Sequence, residues 1–225
     1  MLLYQQPSEF PSLYGLVERW RELRGTDTTK YVRTSFDLQE LRMRYREPWR
    51  CYHGMDHIAD GLMELLPHLE RINDEEREGT VVRAWCYHDA YFAPGCPQNE
   101  YFSYLLSINN MPSRFPHRMV TTLTDHIMAT RDHQVPTDAT YPEDTALVID
   151  VDLKRLAGTP EDFMNDHELI VQEFSEAYPR PAVIRGRRDW AQGFLKRERI
   201  YLTPFYTHLE ETARRNLTNL VRVLS

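Results

Sequence analysis

The sequence predicts an all-α protein, a single helical bundle of about ten helices, on three observations. Apolar residues recur at three- and four-residue intervals along most of the chain. Runs of alternating valine and isoleucine that would mark strands are scarce. Only nine glycines interrupt the 225 residues, and helix start and stop signals fall at regular distances between the apolar segments.

Taken in order, Ser8 is placed to cap a first helix over 9–24, with Leu13, Leu16, Val17 and Trp20 on one face and Gly25-Thr26-Asp27 as the stop. A second helix is expected over 35–46, ended by Pro48. A third runs over 52–66 and a fourth over 74–91, broken by Pro94-Gly95-Cys96-Pro97. Two more follow over 100–108 and 116–133. The stretch 134–143 is the most loop-like of the chain. A helix over 142–156 is closed by Gly158. Thr159-Pro160-Glu161-Asp162 then supplies a cap, a proline in the first turn and early acids for the next helix. Helices over 182–198 and 204–224 complete the chain. No repeat, low-complexity tract or long linker divides it, so residues 1–225 read as one domain.

The bulk numbers narrow the function. Hydrophobic residues make up 41% and charged residues 27%, ordinary values for a globular domain. The net charge of −7, from 27 basic and 34 acidic residues, argues against stable nucleic-acid binding. It leaves room for a local basic pocket that grips one phosphate. Three cysteines, Cys51, Cys86 and Cys96, give no disulfide framework and no zinc-finger spacing. The start of the chain lacks a basic segment followed by an apolar one, and no apolar run approaches membrane-spanning length. A cytoplasmic protein without membrane contact is expected, with a homo-oligomer left open.

Four groups of residues carry metal-ligating chemistry. His53 and His57 stand four apart and would share a helix face. His88-Asp89 ends an apolar segment containing Val81, Val82, Ala84 and Trp85. His126 and His133 are seven apart and share a face if their helix extends that far. Asp150 and Asp152 lie inside another apolar segment, roughly 200° apart on a helix, so one of them faces any shared site. Imidazole and carboxylate together suit a divalent ion of the Mn, Fe, Co, Ni or Zn kind. Taken singly, each residue reads equally well as an ordinary surface or core side chain. The order His…His-Asp…Asp, each member flanked by apolar residues, is what points to a site, because a buried carboxylate must be paired or must ligate.

The stretches YREPWRCYHGMDHI (45–58), AWCYHDAY (84–91), Asn99-Glu100, IMATRDH (127–133), IDVDL (149–153), RGR (185–187) and EETARRNL (210–217) together resemble the HD superfamily. The closer likeness is to its predicted metal-dependent HD phosphohydrolases, and it covers nearly the whole chain in order. The resemblance implies metal ligands at His57, His88, Asp89 and Asp152, with Asp150 supporting them. It implies a divalent cofactor (Mn, Co, Ni, Fe, Zn or Mg) and leaves open a second metal. One departure is Gly54, where relatives tend to carry asparagine.

The expected activity is phosphate-ester or anhydride hydrolysis, with a nucleotide as the expected small-molecule substrate. The metal activates water. His53 or His133 protonates the leaving oxygen, and Glu100 acts as base or holds a water. Arg50, Arg131, Lys154, Arg185 and Arg187 are the candidate phosphate clamps. Trp49, Tyr52, Tyr87, Tyr91 and Phe92 offer stacking surfaces for a base, although aromatics at helical spacing usually belong to the core. Competing readings are a two-metal phosphodiesterase or di-iron oxygenase that adds His126 and His133, and a catalytically silent nucleotide-binding protein.

Overall fold

A computed structural model of the chain describes residues 34–109, 111 and 116–225. The helix expected over 9–24 and its Ser8 cap lie outside these residues. Among the described residues the chain is all-helical, with nine α-helices and no strand. They are α1 (Thr34–Arg44), α2 (Met55–Leu69), α3 (Glu75–Tyr87), α4 (Asn99–Asn109), α5 (His117–Ala129), α6 (Pro142–Leu153), α7 (Pro160–Phe174), α8 (Arg180–Leu195) and α9 (Glu210–Val223). Short 3-10 turns occupy Lys154–Ala157 and Thr207–Leu209.

Several helix starts follow directly from local chemistry. Asp74 caps α3, its Oδ1 accepting from the amides of Glu76 and Arg77 at 3.0 and 3.1 Å. Thr159 caps α7 through the Asp162 amide, with Pro160 in the first turn, where its missing N–H costs nothing. Gly54 caps α2 without a side-chain bond. A Cβ there would meet the Tyr45 carbonyl at an ordinary 3.5 Å, so the glycine is not sterically required.

Two helices form the centre. α3 is buried at every position from Glu78 to Tyr87, and α6 at every position from Asp144 to Val151 and at Leu153. α3 packs against α2, α4, α5 and α6, and α2 also reaches α6. A helix buried on all sides has no polar face to spare, so its functional groups must sit at its ends. In the C-terminal part α8 packs on α9 and α7, and α9 covers the 3-10 turn after α6. One apolar cluster runs through all of this from Leu41 to Leu220. Among the described residues no helix is long and apolar enough to cross a membrane.

Several boundaries differ from the sequence reading: α3 ends at Tyr87 and not at 91, α8 spans Arg180–Leu195 and not 182–198, and three further differences have a tertiary reason. α2 starts at Met55 and not at 52, because the amides of Tyr52 and His53 donate to Glu173 Oε1 at 2.7 and 2.8 Å and hold residues 51–54 as a bend. α5 stops at Ala129 and not at 133. Arg197 takes the carbonyls of Asp132 and His133 at 2.7 and 2.9 Å, and His133 adopts a left-handed φ of 53°. The last helix starts at Glu210 and not at 204. Asp150 and Glu210 bind the amides of residues 200–203 before it.

Candidate metal centre

The N-terminal turn of α2 and the C-terminal ends of α3 and α6 meet at one point. His57 stands in the first turn of α2, His88 caps the end of α3 with Asp89 beside it, and Asp152 lies in the last turn of α6. Trp85 joins two of these elements by donating its indole N–H to the Ile58 carbonyl at 2.8 Å. Gly61 of α2 lets the indole in, since a Cβ there would run into the Trp85 ring.

Ligand atoms of His57, His88 and Asp89 all lie within 4.8 Å of one another. The two Nε2 atoms are 3.2 Å apart, and His88 Nε2 is 3.1 Å from Asp89 Oδ2. Asp152 joins them, with Oδ1 3.3 Å from His57 Nε2 and 3.7 Å from His88 Nε2. Donors about 2.1 Å from a single ion stand roughly 3.0–3.5 Å apart, so the His57–His88 and His88–Asp89 separations match a shared divalent cation; His57–Asp89 at 3.8 Å is wider, and Asp152 stands at the edge of the trio, outside the group whose ligand atoms lie within 4.8 Å of one another. His88 is also oriented for the task. Its Nδ1 lies 2.8 Å from the Trp85 carbonyl, which fixes the proton there and turns the Nε2 lone pair inward. Two imidazoles and two carboxylates are therefore a fitting donor set for a metal.

Electrostatics hold the cluster together without the ion. Burial pulls the His88 pKa down, but Asp89 and then Asp152 outweigh it and raise it to about 9. Burial pushes Asp89 up, while His88 beside it holds its carboxyl well below the usual range. Asp152 is held low in the same way, against burial, by His133 and His57. His133 reaches Asp152 Oδ2 at 3.1 Å from its left-handed backbone position.

A second pair lies alongside. His53 Nδ1 is 2.6 Å from Glu173 Oε2, and Glu173 is wholly buried on α7. The His53 ring stacks on Phe92 at 4.5 Å and stands 6.0 Å from the His57 ring. Burial lowers the His53 pKa, but the Glu173 carboxylate overrides it and leaves it raised. Glu173 was missed by sequence reasoning, because 120 residues separate it from His53 and nothing local sets it apart from other acids. Glu100, second residue of α4, lies within electrostatic reach of Asp89 and His88. Burial pushes its pKa up, and its own backbone and Arg131 act in the opposite direction.

Other expected site residues are used elsewhere. Arg50 is not free to clamp a phosphate. Its guanidinium is shut off from solvent and bonds Glu47 together with the carbonyls of His53, Asp89 and Ala90, at 2.7 to 3.2 Å. It ties the two histidine-bearing segments to each other. Lys154 pairs with Glu64. Asp150 does not support the centre; both oxygens accept from Leu202 and Thr203 at 2.6 to 2.7 Å, on the opposite face of α6 from Asp152. His126 is buried with its Nδ1 2.9 Å from Thr145 Oγ1, and among the described residues it enters no cluster of three metal-capable groups. Burial, and then Arg77, lower its pKa to about 3. Arg131 and Arg185 are exposed, while Arg187 is partly buried. Tyr87 and Phe92 are buried; Trp49 is 38% exposed and donates its indole N–H to the Phe92 carbonyl.

Compared with protein-family models, with curated proteins and with solved structures, the chain finds no match.

Proposed function

We propose that this chain is a metal-dependent phosphohydrolase of the HD type, with one divalent ion held by His57, His88, Asp89 and Asp152. The observation that carries the reading is the convergence of His57, His88 and Asp89 within 4.8 Å of one another, with Asp152 Oδ1 3.3 Å from His57 Nε2 at the edge of the trio. When bound, such an ion supplies a Lewis acid that makes water more acidic and draws charge from a phosphoryl oxygen.

The chain's own residues divide the remaining work. His53, whose hold on a proton is strengthened by Glu173, donates a proton to the leaving oxygen. Glu100 sits on the Asp89 side with a raised pKa, which suits a group that accepts a proton from water. His133 orients Asp152 through its 3.1 Å contact. A phosphate ester or anhydride, with a nucleotide first among them, is the substrate class this equipment serves.

The test is phosphate or pyrophosphate release from nucleotides and cyclic nucleotides with Mn²⁺, Co²⁺, Ni²⁺, Fe²⁺ or Mg²⁺, against a chelator control. Release that stops with chelator is the expected result. Metal bound at one equivalent with no release from any substrate would overturn the hydrolase reading.

A further inference from the structure

Arg187 of α8 is, among the described residues, the arginine with a buried nitrogen that no hydrogen bond answers. Arg44, Arg50, Arg77, Arg155 and Arg214 each reach a carboxylate. Among the described residues Arg187 forms no ion pair, and its buried Nε has no hydrogen-bond partner there. The guanidinium lies 4.1 Å over the Trp190 ring, which supports the cation from one side and leaves its N–H edge unanswered. Burial draws its pKa down to about 10, and only the Tyr52 phenol acts against this.

His167 shares the predicament. It belongs to α7, which packs on α8, and it is 1% exposed, with both ring nitrogens unpartnered among the described residues. Burial first, and then the Arg187 charge, hold its pKa below the ordinary value, so the ring is neutral and has one N–H to give. A buried donor nitrogen without a partner is costly. The Arg187 Nε and the His167 ring are such donors on two helices packed on each other, and together they point to one missing acceptor, an anion.

The location connects this pair to the metal centre. The Tyr52 ring lies 5.5 Å from the His57 ring. Its phenol, raised in pKa by burial, lies within electrostatic range of both Asp152 and Arg187. Arg155 cannot serve the same purpose, because Asp166 already holds its guanidinium.

We infer that Arg187 and His167, beside Tyr52, form an anion subsite that takes a second phosphate of the substrate, beyond the one that is cleaved. The identity of that anion as part of a substrate rests on the hydrolase reading; the subsite itself does not. Substrates with two or more phosphates are then favoured over simple monoesters.

Calorimetric titration of inorganic phosphate, and then pyrophosphate, into the full chain stripped of metal with a chelator tests this. Wild type is expected to bind saturably. Arg187→Met should weaken binding about tenfold or more, as loss of a charged hydrogen bond implies, and His167→Leu should weaken it in the same direction. Arg188→Met, on the same helix but paired to Asp189, should bind as wild type. Arg187→Met removes an unpaired buried charge, so its Tm should stay level or rise. Should it not fold, Arg187→Lys, which keeps the charge and loses the planar fork, carries the same expectation of weaker binding. No saturable phosphate binding by wild type, or wild-type affinity in both the Arg187 and His167 variants, overturns the subsite. Metal-free binding needs no turnover, so the two readings fail separately. A chain that binds phosphate through Arg187 yet hydrolyses nothing loses only the hydrolase, and a hydrolase whose phosphate affinity ignores Arg187 loses only the subsite.

Discussion

Glu173 makes His53 more than a neighbour of the proposed metal site. Its three bonds fix the backbone at Tyr52 and His53 and the imidazole at once. If His53 is the proton donor, His53→Ala should keep the metal and lose about 10²- to 10⁴-fold in kcat. Loss of the metal in that variant would reverse the roles of His53 and His57. The carboxylate raises the His53 pKa, so activity that needs protonated His53 falls as pH rises through that pKa. Removing the charge with Glu173→Gln should move this fall to lower pH, and a pH–rate profile whose alkaline limb stays put would remove Glu173 from the mechanism. The proposed metal ligands give a second pH signature, in the metal-free chain. His88 is raised from 6.5 to about 9, so its contribution to stability is complete below 6.5 and is lost as pH rises through 9. Asp89 is depressed below 3.8, so its contribution is present above that value and is lost in acid. The Tm of the chelated protein should therefore fall from pH 6.5 to 9. Added metal, which replaces the proton on His88, should raise Tm more at pH 9 than at pH 6; equal shifts would show that His88 carries no such proton.

At the scale of elements, α3 explains why the centre is built from helix ends. It is surrounded by α2, α4, α5 and α6 and buried from Glu78 onward, so the groups it brings to the centre fall in the turn after Tyr87, at His88 and Asp89. The register of α2 against α3 depends on Trp85, which donates to Ile58, lies against Gly61 and presents its carbonyl to His88. Gly61→Ala gains helix propensity but pushes on the indole. A destabilisation of about 1–3 kcal/mol is expected from overpacking, together with weaker metal binding, because His88 follows Trp85. Thermal unfolding and metal titration of the variant check both; a more stable Gly61→Ala with unchanged metal affinity would separate the glycine from the site. α5 shows the converse case. Its break after Ala129, held by Arg197, turns His133 toward Asp152 and leaves His126 behind in the core against Thr145.

Across the whole molecule, α6 links the two halves through its opposite faces. Asp152 joins residues of α2 and α3, while Asp150 receives the amides of residues 202 and 203 ahead of α9. The C-terminal segment is anchored again by Tyr201 on the Leu153 carbonyl and by Asn216 on the carbonyls of Leu156 and Gly158. Two substitutions two residues apart should therefore behave in opposite ways. Asp152→Ala should lose the metal and the activity. Asp150→Ala should keep the metal stoichiometry and lower stability by several kcal/mol, since it strips a buried carboxylate from three donors at about 1–3 kcal/mol each. Metal loss with intact stability in Asp150→Ala would exchange the two aspartates.

The sequence by itself determined the helical class, most helix positions and the residues that gather at the centre. Apolar spacing is a local property, and caps such as Asp74 and Thr159 act within four residues. The His…His-Asp…Asp order survives because each member closes or opens a helix with a buried apolar face. Only the tertiary structure decided which of the charged residues serve that centre. Arg50, Asp150 and Lys154 looked as available as Arg187 did, and Glu173 looked like any other acid. The choice is made by backbone carbonyls and amides that arrive from far along the chain. A side chain's role depends on which partners satisfy it once water is excluded, and periodicity carries no record of partners 40 to 120 residues away.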